Sequence, residues 1–160
     1  MIELLRPCGV EFLDGKQFGE WGPLWGYHFD EKGAWVKGKV DHLGVLSGNH
    51  GGHDIKCQVG TPLLCPGEGL VLEAGWQDPQ DPKRGYGKRV LLSLDEPKGW
   101  LLTLGHFSEI IAVKGNRVRR GELLGFSGET GNTHGAHVHV QLEKPGPYPR
   151  MPFNFKWSIV

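Results

Sequence analysis

The chain has 160 residues, in which 18 Lys and Arg are matched by 18 Asp and Glu. That length suits one domain with its own core, and the cancelled charge leaves no global field to attract nucleic acid or an anionic membrane. No apolar run approaches the roughly 18 residues that cross a bilayer, and Glu3, Arg6 and Glu11 interrupt the stretch where an export signal needs a basic start and an unbroken apolar run, so no export signal is expected.

Glycine and proline are abundant, at 26 and 11 residues, and they fall between short apolar runs without a fixed period. This is the texture of many turns, and it predicts an all-β fold. Residues 1–45 carry Trp21, Trp25, Tyr27, Phe29 and Trp35 among glycines. Roughly 45 residues make a poor core alone, so we expect an extension packed on a main domain of residues 46–145, with a tail over 146–160. Strands are expected over 33–40, 61–65, 69–74, 88–94, 99–106, 117–119, 122–127 and 136–142. Pro79, Pro82, Gly85 and Gly87 mark 77–87 as an exposed loop, Lys98-Gly99 marks a turn, and Ser108 ahead of Ile110, Ile111 and Val113 suggests a helical turn over 107–113. The three cysteines, Cys8, Cys57 and Cys65, are odd in number and lack C-x-x-C spacing. They read as reduced thiols, with Cys57 and Cys65 serving as small buried hydrophobes.

Five of the eight histidines fall in two short segments, His50-Gly51-Gly52-His53-Asp54 and His134-Gly135-Ala136-His137-Val138-His139. On a strand, His137 and His139 emerge on one face while Val138 and Val140 face the core. His50 and Asp54 share a side whether their segment is extended or forms one helical turn. Imidazole and carboxylate are zinc donors, and a catalytic zinc keeps three protein ligands and one open place. His50, Asp54 and one of the H-x-H pair supply such a set.

The surrounding blocks narrow this further. His50-x-Gly52-x-Asp54 is followed by Gly60-Thr61-Pro62 and Gly69-x-Val71-x-x-x-Gly75; Leu104-Gly105-His106-Phe107-Ser108 stands in the middle. The last block runs from Val113 and Gly115 through Val118, Gly121, Leu124-Gly125, Gly128 and Thr130-Gly131 to His137-Val138-His139. In this order and with these gaps, the chain resembles the lysostaphin/LytM-type zinc metallopeptidases, which hydrolyse peptide bonds in bacterial peptidoglycan. More faintly, Lys16-Gln17-Phe18-Gly19-Glu20 resembles a short lead-in of stand-alone and phage-borne members. The resemblance implies an all-β fold, a twisted antiparallel sheet with a second small sheet and loops walling an open groove. It also implies one Zn2+ per chain held by His50, Asp54 and His139, with His106 and His137 as the catalytic pair. The chain departs from the family pattern at His134, where Thr is common, at Ala136, where Pro is common, and at Leu104, where an aromatic is common. His53 and His134 flank the site and are candidates to touch substrate, and Leu104 is a third.

The function expected is therefore a zinc-dependent peptidoglycan endopeptidase acting on stem or cross-bridge peptides, a monomeric and bacteriolytic phage endolysin made in the host cytoplasm and reaching the wall after release. Two rivals stand beside it. One is a non-catalytic wall-binding or regulatory relative, which the retention of all three ligands and both catalytic histidines opposes. The other is a structural protein of a phage tail tip with secondary hydrolase activity.

Overall fold

The computed structural model of the chain describes residues 1–23, 27–31, 35–145 and 151–158, and among these every regular element is a strand. The N-terminal part carries β1 (Glu3–Leu5), β2 (Trp21–Pro23), β3 (Tyr27–Phe29), β4 (Trp35–Lys37), β5 (Lys39–Val40) and β6 (Leu46–Asn49). The remainder carries β7 (His53–Lys56), β8 (Pro62–Leu64), β9 (Gly69–Trp76), β10 (Lys88–Leu94), β11 (Leu101–Ile110), β12 (Arg117–Val118), β13 (Leu123–Ser127), β14 (His137–Lys144), β15 (Met151–Phe153) and β16 (Lys156–Ser158). Trp25, the first two residues of the strand expected over 33–40, and residues 146–150 and 159–160 of the expected tail lie outside the described residues.

The main sheet runs β12-β9-β10-β11 and then divides. Leu101 to Gly105 of β11 pair with β14, whereas Phe107 to Ile110 pair with β13, which continues to β8. β14 is flanked by β7 and β15 as well. β11 is buried continuously from Leu101 to Phe107, as befits a strand covered on both faces. In β14, Val138, Val140 and Leu142 are wholly buried in the core with Ile55, Val90, Leu92, Leu102 and Leu104. The alternation therefore turns His137, His139 and Gln141 to the other face.

The expected helical turn over 107–113 does not form. β11 runs on to Ile110, and Ser108 is not a cap: its hydroxyl donates to the carbonyls of Phe126 and Ser127 on the neighbouring strand. The apolar cluster at Ile110 and Ile111 arises at the end of an extended segment, and cross-strand pairing overrides the local pattern.

Both ends of the chain join the fold. β1 pairs in parallel with β16, Glu3 opposite Lys156, and β15 pairs with β14. Leu4 and Cys8 enter the same core as Cys57, Cys65 and Phe155, and all three cysteines are free thiols. Arg6 ties the turn that follows, donating to the carbonyls of Gly9 and Phe12 and to Asp14. Farther along, β2 and β5 flank β6, and β3 and β4 form a separate two-stranded pair. No helix among the described residues is long and apolar enough to cross a membrane.

Candidate metal centre and histidine pair

Three segments that are distant in sequence converge because β14 lies between β7 and β11. His139 stands opposite Asp54 on one side and opposite Gly105 on the other. Segment 14–20 fixes the backbones of His50 and Asp54 from outside. The Gly15 amide donates to the Asp54 carbonyl, the Asp54 amide to Lys16, the Gly19 amide to His50 and the His50 amide to Glu20, at 2.7–2.9 Å.

Nδ1 of His139 lies 2.8 Å from Asp54 Oδ1, and Nε2 of His50 lies 3.4 Å from Asp54 Oδ2. One donor atom from each of the three residues fits within 4.8 Å. All three residues are buried. Burial alone would raise the Asp54 pKa, but hydrogen bonds from His139 and His50 outweigh it and hold the carboxyl well below its usual range. Burial likewise works against a charge on His139, and the Asp54 carboxylate overcomes it and raises that pKa.

His106 and His137 lie beside this trio, their ring centroids 4.6 Å apart. Nε2 of His137 is 3.6 Å from Asp54 Oδ1. Its Nδ1 faces the Gly135 carbonyl at 2.9 Å and the Thr133 hydroxyl at 3.1 Å. His106 occupies the point where β11 changes partner, and there it adopts φ +67°, a left-handed backbone that non-glycine residues rarely take. Its amide donates to the Tyr86 carbonyl at 2.7 Å, and its Nδ1 lies 2.6 Å from the Thr130 carbonyl. Thr130 is anchored in turn, donating its hydroxyl to Phe107 and accepting from the Lys88 amide. Burial, then the neighbouring His137, push the His106 pKa down to about 4, so the ring is neutral at neutral pH.

Each of these four rings has one nitrogen on an oxygen acceptor: Gln17 O for His50 at 3.3 Å, Gln141 Oε1 for His139 at 3.0 Å, Thr130 O for His106 and Gly135 O for His137. A proton placed on that nitrogen leaves the other as a lone pair, for a metal or for a proton. Buried carboxylate, two imidazoles with oriented tautomers and close donor atoms together suit zinc.

The three candidates for substrate contact are placed differently. His53 pairs with Val140, so strand alternation turns it away from the Asp54 face. Both its ring nitrogens are engaged, by Gln17 Oε1 at 2.6 Å and Asn154 Oδ1 at 2.9 Å, and its ring packs on Phe155. Leu104 has no exposed surface and faces the core opposite Val140, so it packs and does not line a groove. His134 is exposed in the turn before β14.

The sequence reading missed Gln141, Thr130, Thr133, Gln17 and Tyr86, whose ring lies 5.6 Å from that of His139 and packs on Gly105. Gln141 was within reach: one more step of the H-x-H alternation puts it on the histidine face. Thr130 and Gln17 stand within the blocks that carry the resemblance, where no role marked them, and Thr133 and Tyr86 meet the site through contacts that no local pattern announces.

The model of Peptidase family M23 matches residues 48–150. Glycyl-glycine endopeptidase ALE-1 of Staphylococcus capitis is 35% identical over 103 residues, which make up 62% of this chain and 26% of that protein. This chain thus spans about a quarter of that relative's length. Among solved structures, the catalytic domain of a mutant of the prophage-encoded M23 protein EnpA from Enterococcus faecalis superposes with TM-score 0.65 and 25% identity, covering 94% of this chain and 93% of that one. The catalytic domain of lysostaphin from Staphylococcus simulans shares the fold with TM-score 0.62 at 21% identity, covering 89% of each chain.

Proposed function

Since the chain belongs to peptidase family M23, a family of zinc metallopeptidases, we propose that it is a zinc-dependent endopeptidase that hydrolyses peptide bonds of bacterial peptidoglycan. The observation that carries this reading is the packing of a His50-Asp54-His139 donor set against a second, unligated pair, His106 and His137.

His50, Asp54 and His139 would hold the zinc, which when bound would supply a Lewis acid for the peptide carbonyl and lower the pKa of water toward neutrality. The chain's own part is proton handling. With Nδ1 protonated toward Gly135, His137 presents Nε2 as the base that takes the proton of water. His106, neutral and tied through Nδ1 to Thr130, presents a second Nε2. The proton that His137 takes from water stays on its Nε2, hydrogen-bonds the developing oxyanion from there and is then transferred to the leaving amine, while His106 remains neutral beside it. His134, exposed in the turn that also carries Thr133 and Gly135, meets the peptide at the edge of the site.

Within this activity we place the protein among phage endolysins, monomeric, made in the host cytoplasm and reaching the wall on release. The prophage origin of EnpA and the lead-in at 16–20 support that placement.

Digestion of two purified peptidoglycans, one with glycine cross-bridges and one directly cross-linked, followed by mass analysis of the released fragments, tests the reaction. New amino termini in at least one wall are expected. Their absence from both, with zinc bound, overturns the endopeptidase reading. Release of cells by the protein expressed together with a membrane-permeabilising partner tests the endolysin placement, and its recovery in purified virions would favour the tail-tip alternative.

A further inference from the structure

We infer that Gln141 is a positioning residue of the metal centre, its carboxamide holding His139 in the tautomer and orientation that aim Nδ1 at the ion. The inference rests on the zinc reading above. β14 sets His139 and Gln141 two residues apart on one face, and Gln141 Oε1 lies 3.0 Å from His139 Nε2. An amide oxygen only accepts, so Gln141 keeps a proton on Nε2, and the proton that Nδ1 gives to Asp54 at 2.8 Å in the metal-free chain is the one an ion would displace, leaving the Nδ1 lone pair for the metal.

A second observation is independent of that hydrogen bond. Gly51 and Gly52, between ligands His50 and Asp54, leave room for this pair. A Cβ on Gly51 would stand 2.8 Å from Gln141 Oε1 and 3.2 Å from its Cδ, and one on Gly52 would meet the Val140 carbonyl first and stand 2.9 Å from His139 Nε2. Gly51 therefore leaves room for the carboxamide, while Gly52 lets the chain entering β7 approach the main chain of β14 and the His139 ring. His50 gets the same service from a main-chain carbonyl, that of Gln17. For His139 a side chain does it, and it can be replaced.

The test is zinc affinity of the full chain, measured by competition with a chromophoric chelator, alongside the melting temperature of the metal-free protein. Gln141→Leu keeps the bulk and removes the acceptor, and should weaken zinc binding about 10–100-fold. Gln141→Glu keeps an acceptor oxygen and should restore affinity to within about threefold of the unsubstituted chain. A purely structural role would lower the metal-free melting temperature of both variants and would not separate them by affinity. Equal zinc affinity in Gln141→Leu and the unsubstituted chain overturns the inference, as does a tenfold or greater loss in Gln141→Glu. Should Gln141→Leu fail to fold, Gly51→Ala, which displaces the carboxamide, takes its place with the same expected loss, and unchanged affinity there overturns the inference. An unsubstituted chain that binds no zinc removes the parent reading instead.

Discussion

Asp54 and His139 face each other across the β7–β14 ladder, with Oδ1 of the one 2.8 Å from Nδ1 of the other, so a sheet register sets the distance between two donors. Replacing any donor opens the set. His50→Ala, Asp54→Ala and His139→Ala should each lower zinc affinity by at least about tenfold, read as metal per chain by elemental analysis after dialysis. Full zinc in all three variants would mean the ion is held elsewhere.

His137→Ala and His106→Ala should keep their zinc and lose about 10²–10⁴-fold in kcat, because proton transfer is removed while the three donors remain. Release of metal by His137→Ala, with retention by His139→Ala, would show the two H-x-H roles to be reversed.

The backbone of His106 gives a prediction of opposite sign for stability. A β-carbon at φ +67° is disfavoured, and glycine is not. Both His106→Gly and His106→Ala lose the contact to Thr130, so His106→Gly should be the more stable of the two by about 1 kcal/mol in urea unfolding. An alanine variant equal to or more stable than the glycine variant would show that no strain is stored there.

What the sequence revealed and what it hid divide along physical lines. Lys88–Leu94 coincides with its expected strand, and His137–Lys144 differs by a residue or two at each end, because apolar β-formers bounded by turn residues carry the signal locally. β7 was invisible: four residues, His53 to Lys56, with no alternation of their own, become a strand only because β14 pairs with them. The tail expected over 146–160 likewise contains β15 and β16, whose partners β14 and β1 are remote in sequence. The histidines were legible because their residue type is rare and their spacing is tight. Their oxygen partners are ordinary residues or main-chain carbonyls, and composition cannot flag those.

The first 45 residues are expected to be indispensable. A fragment beginning at Val45 loses Leu4 and Cys8 from the core and every main-chain bond from segment 14–20 to His50 and Asp54. Each buried leucine contributes about 1.5–3 kcal/mol. The fragment should be insoluble or unfolded and should bind no zinc. A soluble, zinc-loaded and lytic fragment would leave the segment without a structural role.

Cys65 gives the fold an alkaline signature. Burial, only partly offset by a hydrogen bond with the Gly67 backbone, raises its thiol from about 9 to about 11. Between those values the unfolded chain gives up the proton and the folded chain keeps it, so stability present below pH 9 declines as pH rises toward 11. Cys65→Ala should be less stable at pH 7 and show a shallower decline over pH 9–11 in chemical unfolding. A decline as steep as that of the unsubstituted chain would assign the effect to other groups.

The pairing of β1 with β16 has a consequence for how the chain is made. Glu3 and Lys156 are about 150 residues apart, so β1 leaves the ribosome long before the strand that pairs with it. Until then β1 has only its other contacts, among them the bond from the Leu5 amide to the Pro66 carbonyl. A nascent chain stalled short of Lys156 would carry β1 without its sheet partner, its edge toward β16 open to pairing with other chains.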